Sequence, residues 1–247
     1  MKGIILAGGT GSRLRPLTLA TNKHLLPVYD KPVIYYGVEK LVSAGVYKIM
    51  VISSGDHIAD FVKLLGSGQQ FSRPDGGQVQ IVYGVQNEPN GIALALYIAR
   101  DYVGQEDCAL LLGDNIFEDD VAEHIRSFTG GAKVFLKEVH DPHRFGIASV
   151  TKEGGVLEIV EKPVQPQSNL AVTGLYLYDA TVFEKIVDMP KSERGEYEIT
   201  YVNNKYIEEG RLSSALLTKQ WFDVGTFESL FNASEHMRRA AKKDAHA

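Results

Sequence analysis

Apolar residues fall along this chain in two alternating patterns, continuous runs and helical stripes. The first run, Gly3-Ile4-Ile5-Leu6-Ala7, has the character of a strand buried on both faces. A stripe of Val33, Ile34, Val38, Leu41 and Val42 follows, ending at Gly45. It predicts a helix that starts at Asp30-Lys31-Pro32, because proline is tolerated in a first turn. Residues 47–53 then read as a second strand, 57–65 as a helix and 79–85 as a third strand. Residues 66–77, polar and glycine-rich with Pro74 and Asp75, read as a long mobile flap. Beyond Gly91 the small apolar side chains predict one helix over 92–103, and 109–112 is a further strand leading into Gly113-Asp114-Asn115.

The second half is less regular. Residues 132–139, 147–150, 156–161 and 171–178 read as strands, 181–187 and 197–208 as helices, 212–217 as an apolar run before Trp221-Phe222-Asp223, and 227–241 as a terminal helix. Strands alternating with helices imply right-handed βαβ crossovers. The expected fold class is therefore α/β, a Rossmann-like, mixed and mostly parallel sheet flanked by helices. At 247 residues the chain can bury about three quarters of its unfolded surface. No linker, repeat or low-complexity segment interrupts it, so one domain over 1–247 is expected, with a core of about 1–139 and 218–247 and a subregion of about 140–217 laid upon it.

The stretch LAGGTGSRLRPLT, residues 6–18, adds chemistry to this frame. Gly8, Gly9 and Gly11 can take positive φ, so successive backbone amides can converge on an anion. Arg13 and Arg15 put fixed charge on the same loop, and a guanidinium donates two parallel hydrogen bonds to phosphate oxygens. The alternative is a tight turn with two solvated arginines. A Walker loop is excluded because the stretch ends Ser12-Arg13-Leu14 rather than Gly-Lys-Ser/Thr, and a dinucleotide fingerprint would need glycine at Leu14. In open parallel sheets ligands lie beyond the carboxyl ends of the strands, where the glycine loop, Gln86 and Asp114 each fall. Those three features should share one crevice.

Charge narrows the partners. With 26 basic and 31 acidic residues the formal net charge is -5, which offers no positive field for nucleic acid or anionic lipid. The one cysteine, Cys108, lies in an apolar run and reads as a small buried side chain. The N-terminal apolar run is too short for a signal-peptide core and no stretch approaches the ~20 apolar residues of a membrane span, so a cytoplasmic protein is expected. The histidines lack metal-ligand spacing.

Asp114 and Asp223 each close a short apolar run beside a glycine, and read either as turn carboxylates or as ligands for Mg2+, which takes one or two carboxylates plus phosphate oxygens. Arg13 and Lys23 are candidate groups for neutralising a polyphosphate; Lys162 in Glu161-Lys162-Pro163 reads on its own as a solvated charge. Tyr197, Tyr201 and Tyr206 read as packing. No nucleophile with a paired base is evident. A reaction that needs none is in-line phosphoryl transfer to an already ionised phosphate, whose second pKa is about 6.

The chain resembles the sugar-1-phosphate nucleotidylyltransferases. Beyond the glycine loop the matching stretches are KHLLPVYDKPVIYYG, LLLGDNIF, DPHRFGI, EKP, NLAVTGLYLYD, RGEYEIT and WFDVGT, in order and over almost the whole chain. The resemblance is to the branch that joins dTTP to glucose 1-phosphate with release of pyrophosphate, in a short form without the family's C-terminal helical extension. It implies a nucleotide site of Leu6, Gly8, Gly9, Gly11, Gln86, Gly91 and Asp114, with Gln86 and Gly91 on the base and Arg13 and Lys23 on the triphosphate. It implies a sugar-phosphate site of Gly146, Glu161, Lys162 and Val172 in the 140–217 subregion, magnesium on Asp114 and Asp223, and a homo-oligomer, dimer or tetramer. His24, Leu94 and Val224 stand where the family commonly has glutamine, glutamine and threonine. A uridylyl-transferring enzyme, a non-catalytic nucleotide-sugar sensor and, more distantly, a nicotinamide oxidoreductase are the alternatives. Feedback by a downstream dTDP-sugar is expected to be weak.

Overall fold

A computed structural model describes residues 1–244. In chain order the strands are β1 Lys2–Leu6, β2 Pro27–Val28, β3 Lys31–Pro32, β4 Lys48–Ser54, β5 Gln80–Gln86, β6 Cys108–Leu112, β7 Asn115–Phe117, β8 Ala132–Glu138, β9 Gly146–Val150, β10 Val156–Glu161, β11 Leu170–Tyr178, β12 Leu212–Leu216 and β13 Trp221–Asp223. The helices are α1 Val33–Ser43, α2 Ile58–Leu65, α3 Ile92–Tyr97, α4 Arg100–Val103, α5 Ala122–Arg126, α6 Val182–Val187, α7 Ile199–Glu208 and α8 Phe227–Asp244.

The main sheet runs β10-β9-β11-β6-β1-β4-β5, with β8 on the other edge of β11 and β12 beyond it. The expected α/β class is present: β6, β1, β4 and β5 are all parallel, while β11 pairs antiparallel with β6, β8 and β9. The continuous apolar runs earn their place by alternation. Ile4 and Leu6 face one core, with Leu96, Leu110, Tyr178 and Tyr206. Ile5 and Ala7 face the other, with Leu41, Phe61, Leu111 and Phe135. Each fully buried aliphatic side chain there contributes about 1.5–3 kcal/mol of transfer free energy. Cys108 is buried in the first core, and its thiol pKa is pushed up by burial and by Asp107.

Three expectations change and one element is new. Lys31–Pro32 is extended and pairs antiparallel with Pro27–Val28, so α1 starts at Val33 and Pro32 caps it from outside. Residues 92–103 form two short helices, because Ala99 N bonds Leu96 O at 2.9 Å and this tighter turn breaks the 3.6-residue period. Residues 66–77 are tied down: Phe71 is buried, Arg73 pairs with Asp75 and lies 4.0 Å over the Tyr47 ring, and Ser72 bridges to Gln78. Lastly, β7 and β13 form a two-stranded ribbon in which Asp223 stands opposite Asn115. Among the described residues no helix is long and apolar enough to cross a membrane.

Candidate active site

The site begins where β1 ends. Ala7 O is taken by Asn22 Nδ2 at 3.1 Å and Ser53 Oγ at 3.0 Å, which turns the chain out of the sheet. Leu6 O accepts from Gly113 N at 2.8 Å, so the exit of β6 is locked beside that of β1. A Cβ on Gly113 would stand 3.0 Å from the same oxygen, which explains the glycine. The loop then runs through Gly9 at φ 95° and Gly11 at φ 57° and is anchored by buried Leu14. Among the described residues, the backbone amides of Gly8 through Arg13 donate to no protein acceptor. Gly11 closes a turn: its carbonyl accepts from Thr18 Oγ1 at 2.8 Å, and a Cβ there would meet Thr18 Cγ2 at 2.8 Å.

Asp114 follows Gly113. Its carboxylate is paired with the Lys23 ammonium and accepts from Asn115 Nδ2 at 2.9 Å. Burial alone would raise its pKa, but the Lys23 charge and these hydrogen bonds hold it well below the usual carboxylate range. His24, beside it, is brought down to about 3 by burial and by Lys23, so its ring is neutral at pH 7. Its Nδ1 lies 2.6 Å from Asn22 Oδ1 and donates to that oxygen. Asp223 reaches the same place from β13, where the backbone bond Val224 N to Asp114 O, 2.8 Å, ties the two segments. Its pKa moves up, through burial and the Asp114 charge, against the pull of Lys23, Arg144 and Arg13. Arg144 Nη2 donates to Asp223 Oδ2 at 3.1 Å. Two carboxylates thus share a buried corner with opposite shifts.

Two cavities open from this corner. Leu6, Gly8, Gly9, Lys23, Gln86, Gly91 and Asp114 line the first. Arg13, Gly146, Glu161, Lys162, Val172 and Asp223 line the second. The free-amide loop passes from one to the other, with Gly8 and Gly9 in the first wall and Ser12 and Arg13 in the second. Gly11 and Arg15 line neither. Lys162 holds a left-handed φ of 44°, which costs about 1–2 kcal/mol for an L residue, and its amide is fixed on Phe145 O at 3.0 Å. Glu161 beside it accepts from Thr200 Oγ1 at 2.7 Å and pairs with Arg194 at 3.3 Å.

Residues 2–240 match the nucleotidyl transferase family model. The chain belongs to that family. A glucose-1-phosphate thymidylyltransferase of Mycolicibacterium smegmatis is 43% identical over 243 residues, which cover 96% of this chain and 82% of the relative. One from Xanthomonas campestris is 44% identical, covering 94% of this chain and 79% of its own. Among solved structures, a Bacillus anthracis protein described as a glucose-1-phosphate thymidylyltransferase, in complex with a sucrose, superposes with a TM-score of 0.89 at 47% identity, covering 96% and 95% of the two chains. A UDP-glucose pyrophosphorylase complexed with UDP-glucose shares the fold at TM-score 0.83 and 23% identity, over 97% and 98% of the chains.

In this nucleotidyl transferase, residues to which the sequence assigned no role also stand at the site. Arg144, Arg194, Glu196, Thr200 and Trp221 line the second cavity, and Asn115 braces it by accepting from Gly174 N at 3.1 Å and Trp221 Nε1 at 2.7 Å. Their one signal was membership of the stretches DPHRFGI, RGEYEIT, LLLGDNIF and WFDVGT. Gly91 has a packing reason of its own. At φ 110° a Cβ would sit 2.4 Å from Tyr197 O and 2.6 Å from Tyr197 N, so α3 can dock on that backbone through glycine alone. Gly91→Ala is expected to lower stability by about 2 kcal/mol or more, since both the dihedral and the contact are wrong for a side chain. Urea denaturation reads this directly, and an unchanged midpoint would contradict it.

Proposed function

We propose that this nucleotidyl transferase moves a thymidylyl group from dTTP to α-D-glucose 1-phosphate, giving dTDP-glucose and pyrophosphate. The observation that carries the reading is the loop of unpaired amides spanning two cavities, since that is where the phosphates of two substrates must meet. The thymidylyltransferase relatives support the choice of substrates. In this reading Leu6, Gly8, Gly9, Gly11, Gln86, Gly91 and Asp114 serve the nucleotide, and Gly146, Glu161, Lys162 and Val172 the sugar phosphate. The division of labour follows the chain, with nucleotide work in about 1–139 and 218–247 and sugar work in about 140–217.

A phosphate oxygen of glucose 1-phosphate attacks the α-phosphorus in line. That P–O bond forms as the bond from the α-phosphorus to the bridging oxygen breaks, and the electron pair leaves with pyrophosphate. The attacking phosphate is mostly dianionic at pH 7, so no protein base is required. Lys162 grips it on the sugar side, Lys23 and Arg13 neutralise the triphosphate, and the alignment of the two anions supplies much of the rate. The residues suit Mg2+: a buried and a half-buried hard-oxygen carboxylate, the second with a raised pKa caused in part by the first, form a corner that a divalent cation would relieve. Asp114 and Asp223 would hold it, and when bound it supplies charge neutralisation at the phosphate oxygens. The protein would work in the cytoplasm, as a dimer or tetramer.

The test is product identification and pyrophosphate release over a grid of nucleoside triphosphates and hexose 1-phosphates. Preference for dTTP with glucose 1-phosphate is the expected result; equal use of UTP would replace the thymidylyl reading, and no turnover with any pair would remove the enzymatic one. Gln86 gives a narrower prediction. It lines the first cavity at the end of β5, and its amide both donates and accepts, as a pyrimidine edge requires. Gln86→Ala is expected to raise the nucleotide KM and relax choice among dTTP, UTP and dCTP, and unchanged selectivity would contradict the assignment.

A further inference from the structure

Asn203 is fully buried on α7. Its Oδ1 accepts from the Tyr178 hydroxyl at 2.6 Å. Its Nδ2 is closed off from solvent and has no hydrogen-bond partner, the single side-chain atom so placed among the described residues. Turning the amide over does not cure this. The Tyr178 ring stacks between Tyr176 and Tyr206, with centroids 5.9 Å away on each side, and its hydroxyl proton would then lose its one acceptor. Yet Asn203 is not in the middle of a core: it lines the second cavity, on the same face of α7 as Thr200 one turn earlier. A buried donor without an acceptor is unfavourable, and native proteins keep few of them.

We propose that Asn203 is a specificity-determining residue for the sugar: its Nδ2, covered by its neighbours in this structure, is uncovered by a small side-chain shift when hexose 1-phosphate binds and donates to one of its hydroxyl oxygens, directly or through one water that the sugar encloses. The inference rests on the second cavity being the sugar-phosphate site. Tyr178 acts behind it as a positioning residue, since its hydroxyl turns the amide so that the donor faces away from the aromatic stack. A site built around a donor rejects the analogue that lacks the matching hydroxyl, because the donor is then left buried and unpaired. One monodeoxy sugar should therefore be rejected far more than the others.

The experiment compares kcat/KM for glucose 1-phosphate and its 2-, 3-, 4- and 6-deoxy analogues, with dTTP saturating, in the wild type, in Tyr178→Phe and in Tyr178→Phe/Asn203→Leu. Replacing both members of a buried hydrogen bond by apolar groups of similar shape is nearly neutral for folding, so the double variant is the one to read. In the wild type one analogue should lose roughly 10- to 100-fold, the span of one hydrogen bond to a buried donor. In the double variant that penalty should fall close to unity, with glucose 1-phosphate itself reduced and the dTTP KM unchanged. A penalty of the same size in the double variant would overturn the proposal. So would an unmoved Asn203 side-chain amide signal when glucose 1-phosphate is added to 15N-labelled wild type, a measurement that needs no variant to fold. Failure of the wild type to use glucose 1-phosphate at all would overturn the assignment of the cavity and this inference with it. In the wild type, the absence of any selective deoxy penalty beside normal turnover of glucose 1-phosphate overturns the inference alone.

Discussion

Asp114→Asn and Asp223→Asn are each expected to remove most turnover, roughly 10² to 10³-fold or more in kcat, the scale of losing one preorganised charge-stabilising group. The double variant should lose little beyond either single one, because both changes empty the same buried corner. The structure separates the pair by stability. Asp114 is the partner of the Lys23 ammonium, with little of either side chain exposed, so its replacement strands a buried cation. Breaking such a pair costs about 3 kcal/mol at the low end, and the urea midpoint should fall. Asp223 is the opposite case: its pKa is raised by burial and by Asp114, so its ionised form weakens the fold. A raised carboxylate pKa means stability that is present at low pH and lost as pH rises through the folded value. Asp223→Asn removes that loss, and at neutral pH the variant should be at least as stable as the wild type. Kinetics against magnesium concentration complete the test. Near wild-type kcat with an unaltered magnesium dependence in either single variant would remove that residue from the proposed metal site.

Why Asp114 and Asp223 meet was only half visible in the sequence. The parallel strands could be read because Ile4-Ile5-Leu6 and Ala109-Leu110-Leu111 are buried on both faces and leave continuous apolar runs. Their carboxyl ends then place the glycine loop, Gln86 and Asp114 by topology alone. Asp223 comes by another route, the ribbon of Asn115–Phe117 with Trp221–Asp223, whose strands are too short to show any period. The arginines of the second cavity were silent for a different reason. Arg144 and Arg194 are solvated charges until Asp223 and Glu161 are brought to them from distant elements. Phe71, a single apolar residue in a polar stretch, likewise shows its role only when the 66–77 segment is folded onto the sheet.

Arg13→Ala is expected to lower kcat by roughly 10² to 10³, as for loss of one donor aimed at charge that develops in the transition state. Arg13 leaves the loop of free amides on the side of the second cavity, where Asp223 and Arg144 also stand. Among the described residues its guanidinium makes no ion pair or hydrogen bond, unlike Lys23, which Asp114 already holds. An exposed arginine with no protein partner adds little to the fold, so the variant should keep the wild-type urea midpoint. Gly225 offers a second handle on the same group. A Cβ at that position would stand 2.8 Å from Arg13 Nη2 and 3.4 Å from Asp223 Oδ1, while the glycine's own backbone is ordinary. Gly225→Ala should therefore displace the guanidinium and reproduce part of the Arg13→Ala loss without unfolding the protein. Combined with Arg13→Ala it should add little, because the atom it pushes is already gone. Single-turnover measurements locate the effect in the chemical step rather than in product release. A loss below about fivefold in Arg13→Ala, or a Gly225→Ala effect that persists in full when Arg13 is absent, would return Arg13 to a solvated surface charge.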